Sequence, residues 1–220
     1  MRNEFHQPKL IIFDCDGVLV DSETIFNQVL IEDLAEHGLA LTVEQSMALF
    51  VGGSMSSVQS AVQKRGIHLS DDWIELLYGK VKARLEQGVD AVEGIPELLS
   101  ELSHMGQQFC VASNGPVDKM HITLGQTGLL PFFDKALFSA YEVNSWKPEP
   151  GLFLHAARQF SCTPEQCVVI EDSRNGTLAA RNAEMPCLGY APTGEDQTLR
   201  ENNAVPFKSM NEVTSLLGLI

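Results

Sequence analysis

The chain of 220 residues is 44% hydrophobic and 20% charged, enough apolar material for one domain, or for one domain carrying an insertion. Its 29 acidic residues against 15 basic ones leave a formal charge of -14, and a field of that sign disfavours nucleic acid and anionic membranes as partners. Apolar runs fall well short of a bilayer span, residues 1–8 lack the apolar stretch of a signal peptide, and the five cysteines lie mostly in apolar runs, so reduced thiols and a cytoplasmic location are expected.

The first element is an apolar strand, Leu10-Ile11-Ile12-Phe13, which stops abruptly at Asp14-Cys15-Asp16-Gly17. Side chains alternate sides along a strand, so a turn after Phe13 can aim Asp14 into a cleft and free the backbone of Asp16. Two crowded carboxylates repel unless a cation lies between them, and oxygen ligands of this sort suit Mg2+. A solvated Asp-x-Asp-Gly turn would read the same way, and the rest of the chain decides between the two. Cys15, flanked by both acids, is expected to be a poor nucleophile.

From Ser22 to about Gly88 the spacing is helical, in Ile25–Leu34, Val58–Val62 and Trp73–Leu85, with no convincing strand. Beyond residue 92, short apolar runs alternate with helical patterns. Strands are predicted at Phe109–Ser113, Ala136–Ser139, Cys167–Ile170 and Pro186–Gly189, and helices near Ile95–Met105, Pro116–Leu124, Pro150–Phe160 and Gly176–Glu184. That alternation predicts an α/β fold, a doubly wound parallel sheet, with the helical segment inserted after its first strand as a cap. The expected division is 1–21 with 88–220 for the core and 22–87 for the cap.

In open α/β sheets, ligands gather at the carboxyl ends of the strands. Here those ends carry Asp14 and Asp16, then Ser113-Asn114 followed by Gly115-Pro116, then Glu171-Asp172, with Ser145-Trp146-Lys147-Pro148-Glu149-Pro150 in the loop before the last pair. Taken singly, Ser113 reads as a helix cap, Lys147 as a surface lysine and Glu171-Asp172 as a solvated turn. Taken together they supply a nucleophilic carboxylate, a second acid/base, a metal site, a hydroxyl donor and a cation.

This order of motifs, Asp14-x-Asp16-Gly17-x-Leu19-x-Asp21-Ser22, Ser113-Asn114-Gly115, Lys147-Pro148-Glu149-Pro150 and Glu171-Asp172-Ser173-x-x-Gly176, resembles the haloacid dehalogenase (HAD) superfamily over essentially the whole chain. The insert is similar to the cap of its β-phosphoglucomutase-like branch. The stretches Val111–Met120 and Ser145–Pro148 most resemble bacterial sugar-phosphate phosphatases of the 6-phosphogluconate phosphatase type. The resemblance implies a Rossmann-like core and a Mg2+-dependent phosphatase. Asp14 would attack phosphorus and Asp16 would serve as acid and base. Ser113, Asn114 and Lys147 would hold the phosphoryl oxygens. The metal would sit on Asp14, the carbonyl of Asp16 and Asp172, with Glu171 as an additional or water-mediated ligand.

Asp16 argues against dehalogenation, and Lys64, Lys80 and Lys82 do not stand out as Schiff-base lysines. A phosphosugar mutase is the nearer alternative. However, the positions that hold its second phosphate site appear here as Phe26, Val51 and Met55, beside a specificity loop at Phe50–Ser54. A phospholigand-binding regulator without turnover is the alternative from another class, and it would need neither Asp14 nor Asp16. The expected partner is a small phosphorylated metabolite, the expected state a monomer.

Overall fold

The apolar, β-branched and aromatic runs of the sequence become strands of one sheet. A computed structural model describes residues 5, 7–50, 55–133, 135–194 and 196–220, with backbone alone over 47–50. The chain divides into two units, Met1–Asp21 with Asp90–Ile220, and Ser22–Val89.

In the first unit the strands are β1 (Leu10–Phe13), β2 (Gln108–Ser113), β3 (Leu137–Ser139), β4 (Cys167–Glu171), β5 (Cys187–Tyr190) and β6 (Val205–Phe207). All pairings are parallel, in the order β3-β2-β1-β4-β5-β6. All four residues of β1 and all five of β4 are buried, as a strand covered on both faces requires. On one face Leu10, Ile12, Cys110, Ala112, Cys167 and Val169 join a core with Leu152, Phe153 and Ala179. Phe109 meets Phe13 and Phe133 edge-on, ring centroids 6.2 and 5.5 Å apart. Each such side chain taken from water stabilises the fold by about 1.5–3 kcal/mol.

Strand order reverses at β1. Phe13 is level with Val111 on one side and Ile170 on the other, so Asp14 leaves the sheet level with Ala112 and Glu171. That is the switch point at which such sheets bind ligands. The strand β6 escaped the sequence reading because it is three residues long and holds Pro206, which an edge strand alone tolerates.

The second unit is helical, with α1 (Ser22–Glu36), α2 (Val43–Phe50), α3 (Met55–Gln63) and α4 (Trp73–Leu85), and no strand among its described residues. On α4, Trp73, Leu77, Val81 and Leu85 form a buried stripe at four-residue spacing. Asp33 of α1 is buried, and its carboxylate accepts from Trp73 Nε1 at 2.6 Å and from Lys80 Nζ at 2.7 Å, pinning α1 to α4. Lys80 also bonds Glu36, and these bonds raise its pKa; it is spent on structure. Of the expected specificity loop, Val51–Ser54 lie outside the described residues.

The remaining helices belong to the first unit: α5 (Ile95–His104), α6 (Val117–Gln126), α7 (Ala140–Val143), α8 (Gly151–Gln159), α9 (Arg174–Asn182), α10 (Gln197–Glu201) and α11 (Val213–Leu216). Pro116 and Pro150 stand one position before their helices, as caps, rather than at the first helical position. Short α7, α10 and α11 leave too few turns for a period to show in the sequence.

Candidate active site

The strand ends converge as their spacing suggested. Asp14 directly follows β1 and Glu171 ends the neighbouring β4, and Lys147, buried, reaches both. Its Nζ donates to Asp14 Oδ1 at 2.5 Å and to Glu171 Oε1 at 2.7 Å, with the Phe153 ring 5.0 Å away. Lys147 is therefore no surface residue. Burial pushes its ammonium towards the neutral form, but the two carboxylates outweigh that and raise its pKa overall.

Asn114 fixes the loop that delivers Lys147. Its Oδ1 accepts the Lys147 backbone N–H at 2.9 Å and its Nδ2 donates to the Lys147 carbonyl at 3.3 Å. The Asn114 side chain is thus committed to the loop, which leaves its backbone for any anion. Ser113 is buried at the end of β2, its Oγ accepting from Gly115 N at 3.0 Å. Ser139, at the end of β3, donates to the Gly115 carbonyl at 2.7 Å and caps α7. A serine closing the neighbouring strand was the signal for it, and the sequence reading passed over it.

Glu171 is fully buried. Beyond Lys147 it accepts from Ser173 N at 2.8 Å and Ser173 Oγ at 2.9 Å, so both of its oxygens already have protein donors. Two glycines make room for the acids. Gly176, in the first turn of α9, lies where a Cβ would run into the Glu171 carboxylate, and Gly17, at φ +80°, where one would run into Asp172.

Asp14, Glu171 and Asp172 present oxygens within 4.8 Å of one another. The Asp16 side chain lies outside this group and pairs instead with Lys119 Nζ, at 2.7 Å, a lysine whose place in the site spacing alone did not reveal. Asp14 and Glu171 thus share the Lys147 ammonium, while Asp16 holds that of Lys119. Burial, opposed by Lys147 and reinforced by Glu171 and Asp16, drives the Asp14 carboxyl up to about 7. The oxygens that Asp14, Glu171 and Asp172 bring together are a donor set that fits a hard divalent cation. Cys15 is buried, and burial with the Asp16 and Asp14 charges pushes its thiol well above the usual range, an inert sulfur rather than a nucleophile.

A family model described as haloacid dehalogenase-like hydrolase matches residues 8–184. Among characterised proteins, the 6-phosphogluconate phosphatase of Escherichia coli (strain K12) is 30% identical, over 94% of this chain and 93% of its own. A haloacid dehalogenase-like protein from Agrobacterium tumefaciens str. C58 superposes with a TM-score of 0.87 at 32% identity, covering 96% of this chain and 98% of that one. A HAD family hydrolase from Deinococcus radiodurans R1, crystallised with bound phosphate and sodium, gives 0.85 at 31% identity, covering 97% and 96%.

Proposed function

The chain belongs to the haloacid dehalogenase-like hydrolases and is a phosphoric monoester hydrolase, and from that premise we propose that it hydrolyses a small sugar phosphate or phosphorylated sugar acid, with 6-phosphogluconate the first candidate, through a phosphorylated Asp14. The observation that carries this reading is the buried Lys147 bridging Asp14 and Glu171 at the sheet's switch point.

In this mechanism the Asp14 carboxylate attacks phosphorus in line with the departing alkoxide. Asp16 gives that alkoxide a proton, then takes one from the water that hydrolyses the acyl phosphate. Ser113, the Asn114 backbone and the Lys147 ammonium hold the phosphoryl oxygens as charge gathers on them. Mg2+, held by Asp14, Asp172 and the Asp16 carbonyl, would supply positive charge to those oxygens. Glu171 orients Lys147 and backs the metal site through a water. Residues 22–87 act as the cap that selects the leaving group. The enzyme works in the cytoplasm as a monomer; its five free thiols support the first of these.

The test is phosphate release from p-nitrophenyl phosphate and from a panel of sugar phosphates and phosphorylated acids, ranked by kcat/KM. Activity is expected to vanish in EDTA and return with Mg2+ but not Ca2+, whose larger and looser shell suits in-line geometry poorly. Full activity in EDTA would remove the metal from the account.

A further inference from the structure

Lys119 is the third residue of α6, in the first turn of that helix. A cation there opposes the helix dipole, so helix stability does not explain it; the neighbouring Asp118, whose Oδ1 accepts the Lys119 backbone N–H at 2.9 Å, suits that end. The side chain instead runs past Gly115 towards Asp16. A Cβ on Gly115 would lie 3.6 Å from Lys119 Cδ and 3.7 Å from Asp16 Oδ2, and Lys119 Nζ meets Asp16 Oδ1 at 2.7 Å. Both side chains keep 30% of their surface, which distinguishes the pair from a solvated surface bridge. The two lysines divide the two aspartates between them, Lys147 on Asp14 and Lys119 on Asp16.

We infer that Lys119 is a positioning residue, holding the Asp16 carboxylate in the orientation from which it serves the leaving oxygen. The inference rests on the phosphatase reading above. Its signature is read in the first half of the reaction, because an alkoxide cannot depart without a proton whereas p-nitrophenolate can, while the base work of Asp16 on the acyl phosphate is common to both esters.

The experiment compares wild type, K119M, K119Q and K119R on a sugar phosphate and on p-nitrophenyl phosphate, with folding checked by circular dichroism. For K119M, or K119Q should K119M misfold, kcat on the sugar phosphate is expected to fall about tenfold to a hundredfold. KM is expected to hold, as is the first-turnover burst of p-nitrophenol. K119R, which keeps the charge and the donor, is expected to recover most of kcat. An unchanged kcat with a raised KM would overturn the inference and make Lys119 a substrate contact, and an equal slowing of the first-turnover step with both leaving groups would overturn it as well. Those results leave the phosphatase reading standing, since that reading fails only if the wild type itself releases no phosphate from any ester.

Discussion

Lys147 Nζ lies 2.5 Å from Asp14 Oδ1, although the two residues stand 133 positions apart in the chain, and both are buried. The same ammonium holds Glu171, 24 positions further on. Three segments that share no local sequence are thus locked by one cation. Its removal leaves two carboxylates under the surface with a single set of donors between them.

Lys147→Met is therefore expected to destabilise the protein by roughly 3–5 kcal/mol, the cost of breaking a buried ion pair from one side. Urea denaturation gives the value. The proposed Mg2+ would bind only the folded acids and is expected to return part of the loss. A Lys147→Met protein as stable as wild type without metal would mean that the two carboxylates find other partners.

Two glycines in helices predict opposite signs. Gly176→Ala drives a methyl into the Glu171 carboxylate and is expected to cost roughly 1–3 kcal/mol, as overpacking does, and to lower kcat through the displaced Lys147. Gly79→Ala, exposed in α4 with nothing near its absent Cβ, is expected to raise stability by about 0.5–1 kcal/mol. Thermal melts of the two variants decide it; equal shifts would contradict the packing described at Glu171.

How much of this was legible in the chain follows from where the information lies. Asp14, Ser113, Glu171 and Asp172 sit at the ends of apolar runs, so a one-dimensional pattern locates them once the sheet is assumed. Lys147 could be placed only by the set it joins and by the family resemblance, because nothing local distinguishes it from a surface lysine. The bonds of Ser139 to Gly115, Asn114 to the Lys147 backbone and Lys119 to Asp16 depend on how loops from different strands come together, which spacing does not encode. Glu171, expected as an additional or water-mediated metal ligand, stands with Asp14 and Asp172 in one group of oxygens, and its two oxygens also accept from Lys147 and Ser173. That commitment is visible only in three dimensions.

Water rather than sugar is expected to take the phosphoryl group from Asp14. A mutase needs a second anion site, and two of the three positions at issue hold Phe26, whose ring sits 6.0 Å from that of Tyr78, and Met55. Val51, the third, lies outside the described residues. A phosphate without a cation in apolar surroundings carries a large desolvation penalty. Given β-glucose 1-phosphate with a trace of the 1,6-bisphosphate, the enzyme is expected to release inorganic phosphate or to leave the sugar untouched. Build-up of glucose 6-phosphate without phosphate release would restore the mutase alternative, and Val51→Lys would then be the variant to make.

The central claim is that the Asp14 carboxylate itself receives the phosphoryl group. Asp14→Asn keeps the shape of the side chain and removes the attacking charge. Acid quench of the wild type during turnover of p-nitrophenyl phosphate with Mg2+, followed by mass spectrometry of the peptide spanning residues 9–22, measures the claim directly. The account predicts phosphate on Asp14 in the wild type, none in the folded Asp14→Asn variant, and a loss of at least roughly a thousandfold in kcat. Phosphate on another residue, or substantial turnover by folded Asp14→Asn, would contradict it.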